Sequence, residues 1–138
     1  MKKEFDLQER LIDYAVRVIK LCNALPDTFA GRHICSQLLR SGTSPAPNYG
    51  EAQSAESPLD FIHKLKIALK ELRESYVWLK IIIEADLIAP PEKVQPLVLE
   101  TDELISILFA SVTTAKRNNQ QQRNPSRRKN NNPEAESL

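Results

Sequence analysis

The chain has 138 residues, 41% of them hydrophobic but only 6% aromatic, which is enough apolar material for one domain with a largely aliphatic core. Three glycines, and no stretch that alternates apolar and polar residues, argue against a strand-rich fold and point to an all-α chain. The net charge of +1 hides an asymmetry: residues 1–115 carry 13 Lys/Arg against 16 Asp/Glu, and residues 116–138 carry six against two, so a mildly acidic body precedes a basic tail.

The first helix is expected over about Asp6 to Ala24. Leu11, Ala15, Val18, Cys22 and Leu25 recur at steps of four and three and make one apolar stripe. Asp6 and Glu9 stand at capping-box spacing, and Pro26 ends the helix by disfavouring a helical Leu25. The second helix starts near Asp27 or Thr28 and carries Ile34, Cys35, Leu38 and Leu39. At Ser41-Gly42-Thr43-Ser44-Pro45-Ala46-Pro47 it is expected to break or kink, at about residues 41–44, because an interior proline removes a hydrogen bond and clashes with the preceding turn. Pro45 fits only as the first residue of a new segment capped by Ser44, and that segment runs to about Glu56.

The third helix has the clearest start. Ser57, Pro58 and Asp60 supply a cap, a first-turn proline and a first-turn acid. Ile62, Leu65, Leu69, Leu72, Tyr76, Leu79 and Ile83 follow at helical spacing, widened by Phe61, Ala68, Trp78 and Ile82 into a face that suits more than one neighbour. This helix ends near Asp86 to Ile88. A fourth opens at Pro91-Glu92 and buries Val94, Leu97, Val98, Thr101, Leu104, Ile105, Leu108 and Val112, with Phe109 at the flank. Short connections favour antiparallel neighbours, hence an antiparallel four-helix bundle over residues 1–117. Residues 118–133 contain no apolar side chain, so 118–138 are expected to form a disordered basic tail.

Catalytic chemistry is hard to assemble from these residues, and no enzyme is expected. His33 and His63 are the only histidines, they and the two cysteines do not fall at zinc-finger spacing, and no glycine-rich phosphate loop is present. Neither metal nor cofactor is therefore expected. Cys22 and Cys35 read as free thiols among apolar neighbours. Glu71 and Glu74, with Lys66 and Lys70 beside them, read as the solvated face of the third helix. The charged start Met1-Lys2-Lys3-Glu4 has no apolar segment of a signal peptide, and the run Ile81-Ile82-Ile83 is far too short to span a bilayer. A cytoplasmic protein without a membrane partner is the expectation.

At the bend in the second helix the chain reads Gln37-Leu38-Leu39-Arg40-Ser41-Gly42-Thr43-Ser44-Pro45-Ala46-Pro47-Asn48-Tyr49-Gly50-Glu51-Ala52. This resembles the signature of a bacterial four-helix bundle family whose members include proteins encoded by intervening sequences in 23S rRNA genes. A relative is the accessory variability determinant of diversity-generating retroelements. Leu11-Ile12-Asp13-Tyr14-Ala15 is similar to the family's opening, and Phe61-Ile62, Leu65, Ala68, Glu71-Leu72 and Glu74 are similar to its third helix. The likeness covers about residues 5–115. It implies an antiparallel four-helix fold, a homopentamer, association with RNA or DNA, a reverse transcriptase partner for the retroelement relative, and no enzymatic activity.

The motif also has a physical reading. Asn48 and Glu51 share a face, Ser44 lies one turn before Asn48, and Arg40 can reach Glu51 only across the bend or from another subunit. An Arg40–Glu51 pair completed by Ser44 and Asn48 would fix the bend, a structural role. Nucleic-acid contacts are expected in the tail, from Lys116, Arg117, Arg123, Arg127, Arg128 and Lys129, as salt-sensitive backbone contacts without base stacking. The alternative function is a scaffold that docks another protein through the wide apolar face of the third helix, Tyr76 and Trp78 included.

Overall fold

The structure, a computed structural model, describes residues 6–123, and within them it is helical with no strand. Helix α1 spans Leu7–Ala24, and its start is capped as expected: the Asp6 carboxylate accepts from the Glu9 N–H at 3.2 Å. Its buried face is Leu7, Leu11, Tyr14, Val18 and Cys22, so Tyr14 and not Ala15 fills the second turn of the stripe. The Cys22 Sγ lies 3.7 Å from the Cys35 carbonyl oxygen, and both cysteines are free thiols.

Helix α2 spans Phe29–Thr43 and is capped by Thr28, whose Oγ1 accepts from the Gly31 N–H at 3.0 Å. Helix α3 spans Pro45–Gln53, three residues shorter than the segment expected to reach Glu56. The junction is gentler than a capped restart. Ser44 has helical dihedrals (φ −73°, ψ −37°) and makes no side-chain cap, and the Asn48 N–H donates to the Ser44 carbonyl at 3.2 Å as within one helix. Packing overrides the local preference of a pre-proline residue: Ser41, Gly42, Pro45 and Ala46 are all buried at this point. The two prolines only thin the hydrogen-bond ladder of what is effectively one bent helix.

Gly42 explains why α1 and α2 approach so closely here. A Cβ at this position would stand 2.7 Å and 2.8 Å from the two Val18 methyls, so only glycine fits the crossing.

Helix α4 spans Pro58–Glu84, with the Ser57 Oγ accepting from the Asp60 N–H at 3.0 Å. After Asp86, which takes a left-handed φ of 53°, and a 3-10 turn at Pro91–Lys93, α5 runs over Gln95–Arg123. This corrects the expected boundary at Arg117: residues 118–123 continue the helix although they contribute no buried side chain. Asn and Gln are tolerable helix formers at an exposed end, and a helix already nucleated gains one hydrogen bond per added residue.

Helices α2 and α3 together form one leg of a four-cornered bundle. Helix α1 packs on that leg, α4 packs on it from the other side and on α5, and α5 closes the bundle against α1. Leu11, Val18, Leu38, Leu65, Leu72, Leu79, Leu104 and Leu108 are among the side chains with no exposure, which gives the aliphatic core that composition required.

Two hydroxyl pairs cross this core. Tyr14 Oη and Thr101 Oγ1 are 2.7 Å apart, and Ser41 Oγ and Ser75 Oγ are 2.8 Å apart. Each pair also has a carbonyl acceptor: Thr101 donates to Leu97 O at 2.6 Å and Ser75 to Glu71 O at 2.9 Å. No buried side-chain polar atom among the described residues lacks a partner. Burial first, only partly offset by Thr101 and Ser75, pushes the Tyr14 phenol up to about 12.

Candidate nucleic-acid interface

The residues of the motif are held by partners inside the chain, but not by the partners expected. Arg40 on α2 reaches across to α4, where its Nη1 bonds the Glu71 carboxylate at 2.9 Å and its Nη2 bonds Glu74. The expected Arg40–Glu51 pair does not form. Glu51 instead accepts from Lys64 Nζ at 2.8 Å, and this hydrogen bond holds the Lys64 ammonium above its ordinary pKa. The reason is the helical path through Ser44: eleven residues on, Glu51 lies about three turns down the same bent helix, roughly 16 Å from Arg40. Ser44 and Asn48 do meet, since the Asn48 amide donates to both the carbonyl and the Oγ of Ser44 at 3.0 Å.

The acids that hold Arg40 were read as part of a solvated face. Glu71 is only 14% exposed in its side chain, so it belongs to the α2/α4 seam. Glu74 also accepts from the Trp78 indole N–H at 3.0 Å, and His33 packs edge-on against the Trp78 ring at 6.1 Å. Tyr76 and Trp78 are thus packed against the core and do not form a spare apolar surface. The spare surface lies on α1, where Ile12, Val16 and Ile19 are 41–49% exposed at one-turn spacing.

A second set of charges is arranged differently. Along the outer side of the α4/α5 seam, Lys66, Lys70 and Arg73 of α4 face Phe109 and Lys116 of α5 across a shallow trough. The trough continues past Lys66 and Lys116 to Leu59, Asn119 and Arg123. From Arg73 to Leu59 it is about 20 Å long at the rise of an α-helix. No aspartate or glutamate lines it. Among the described residues, none of these five cations has a carboxylate within ion-pair distance. Five uncompensated positive charges on a mildly acidic body create a local field that attracts polyanions. At the upper end the Arg73 guanidinium lies 5.9 Å from the Phe109 ring centroid, and Phe109 is 55% exposed.

The trough absorbs part of the expected tail site and relocates it. Lys116 and Arg123 line it from a folded helix, and Arg117 is an exposed residue of the same helix outside it. Arg127, Arg128 and Lys129 lie outside the described residues. Lys66 and Lys70 were read as part of a solvated face and not as a ligand site, yet with Arg73 their spacing of four and three places them on one helix face, a signal present in the sequence. Among the described residues no group of three or more His, Cys, Asp or Glu side chains is placed to hold a metal ion, and no helix is long and apolar enough to cross a membrane.

Comparison with known proteins bears on the chain as a whole. Residues 3–110 match the family model described as 23S rRNA-intervening sequence protein. The fold is similar to the crystal structure of a protein of unknown function from the S23 ribosomal protein family of Bacteroides thetaiotaomicron. The two are 33% identical with a TM-score of 0.72, over 78% of this chain and 98% of that one. No curated protein matches the chain.

Proposed function

We propose that this chain, which belongs to the 23S rRNA-intervening sequence protein family, is a non-enzymatic nucleic-acid-binding bundle that holds a phosphate backbone in the α4/α5 trough. The observation that carries this reading is the row of Lys66, Lys70, Arg73, Lys116 and Arg123 facing one another with no acid between them. Cations matched by carboxylates cost ligand binding a broken ion pair, whereas unmatched cations release condensed counterions when a phosphate arrives. RNA is the expected ligand, and the basic segment after Arg123 adds further backbone contacts.

The test is fluorescence anisotropy with labelled RNA across a salt series. It compares the full chain, a truncation after Arg123 and the double variant Lys66→Glu/Lys116→Glu. Five phosphate contacts give a log–log salt slope of about −3 to −4 on a single strand. Truncation is expected to weaken binding and leave most of that slope. The double reversal is expected to remove most of it. Salt-independent binding, or binding unchanged by the double reversal, would rule the trough out.

The exposed row Ile12, Val16 and Ile19 supports a second feature, self-association of bundles through α1. A homo-oligomer, a pentamer by family resemblance, would present several troughs at once and gain avidity from weak sites. Light scattering at micromolar concentration should give a multiple of the chain mass, and Val16→Lys should reduce it. A monomeric wild type would instead leave the α1 face for another protein, such as the reverse transcriptase that the resemblance to retroelement accessory proteins brings in.

A further inference from the structure

We infer that the trough takes single-stranded nucleic acid, with one unpaired base stacked on Phe109; this deepens the nucleic-acid reading above and rests on it. Three observations point the same way. The first is width. The cations sit on two adjacent antiparallel helices, whose axes pack at about 8–10 Å. Lys66 faces Lys116, and both strips of charge therefore converge on one line rather than on the two separated phosphate rows of a duplex. A single extended backbone can contact both strips along the whole seam of about 20 Å.

The second observation is Phe109 itself. It is a large apolar ring, 55% exposed, at the end of a basic trough, and among the described residues every other large ring except Phe29 is at least partly buried. An exposed aromatic among cations is the arrangement that binds bases irrespective of sequence, because every base has a π-face. Inside a duplex those faces are already stacked and out of reach. The Arg73 guanidinium, 5.9 Å from the ring centroid, sets a cation beside the ring that can meet the phosphate of a nucleotide bound there. The third observation is at the other end, where Asn119 and Gln120 line the trough beside Lys116. Their amides offer both donors and acceptors to sugar hydroxyls and base edges.

Anisotropy on the full chain tests this with three probes: a single-stranded RNA ten-mer, an abasic ribose-phosphate strand of equal phosphate number, and the ten-mer annealed to its complement, which doubles the phosphates while hiding the base faces. The single strand is expected to bind about tenfold more tightly than the abasic strand, the effect of one base–aromatic stack. Phe109→Ala should lose that factor on the ten-mer and nothing on the abasic strand, and Phe109→Trp should restore it with quenching of the new indole fluorescence. Equal affinity for duplex and single strand, or an equal loss on both strands in Phe109→Ala, overturns the proposal while leaving a backbone-binding trough. A fall in assembly mass for Phe109→Ala also overturns it, by making the ring a contact between copies. If Lys66→Glu/Lys116→Glu binds all three probes normally, the trough reading itself has failed.

Discussion

The two faces of α4 use the same residue types to opposite ends. Towards α2, Arg40 meets Glu71 and Glu74, Ser75 meets Ser41, and every charge or hydroxyl finds a partner within the chain. Towards α5, Lys66, Lys70 and Arg73 meet Lys116 and an aromatic ring. The inner seam spends its polar groups on holding helices together. The outer seam holds helices together through Leu69, Val112 and the core beneath, and leaves its charges to solvent. Composition alone does not separate a structural cation from a ligand-binding one; the sign of the neighbour does. The comparison predicts that stability follows the inner seam and binding follows the outer one.

The largest expected effect on stability is a pH response of the buried core on which both seams rest. Tyr14 ionises near its ordinary value of about 10 in the unfolded chain but is pushed up to about 12 when folded. Between those values the unfolded state loses its proton first, so the tyrosine's contribution to stability is full below pH 10 and falls as pH rises towards 12, by about 2–3 kcal/mol at most. Cys22, pushed up to about 12 by burial and then by Cys35, adds a fall of the same sign from a lower starting pH. Urea titrations from pH 8 to 11.5 check this, and Tyr14→Phe should remove the tyrosine's share of the fall and leave that of Cys22.

Gly42→Ala comes next. It brings a methyl within 2.8 Å of both Val18 methyls, and overpacking of this kind costs about 1–3 kcal/mol, more than the gain of about 1 kcal/mol in helix propensity at the upper end. A lowered thermal midpoint with unchanged RNA affinity is the expected result. Arg40→Ala should cost less, about 0.5–1 kcal/mol, because the arginine is half-exposed and solvent screens its pairs. The smallest effect on stability belongs to the outer seam: Lys70→Ala should change it by no more than about 0.5 kcal/mol while weakening RNA binding. An Arg40 variant that lost RNA binding at full stability would erase the distinction between the seams.

Much of the bundle was legible in the sequence because period and caps agree. Asp6 and Ser57 cap where their side chains and followers suggested, Thr28 caps at one of the two starts left open for the second helix, and the stripes of Leu, Ile and Val are the core. The bend at Ser44 was legible as a bend but not as a continuous one, since the buried contacts of Ser41, Gly42 and Ala46 that keep Ser44 helical come from other helices. Arg40 was legible as important and misassigned in partner. Its carboxylates are more than thirty residues away, and only the α2/α4 packing brings them within reach. The trough was hidden for a different reason. Each half is visible as helix-spaced cations, but a charge becomes uncompensated only when the facing helix is known, and Lys116 was assigned to a tail instead of a wall.

Helix α5 outruns the helices that bury it. Its last buried residue is Val112, and eleven further residues complete it with no side chain in the core. Amide hydrogens along it should therefore exchange in a gradient, slowest around Leu104 and Leu108 and fastest towards Arg123, because the terminal turns open without unfolding the bundle. Lys116 and Arg123 sit on that loosening stretch. A strand bound across them would have to order it, so part of the binding free energy would appear as slowed exchange past Val112, a readout of occupancy that needs no label on the ligand.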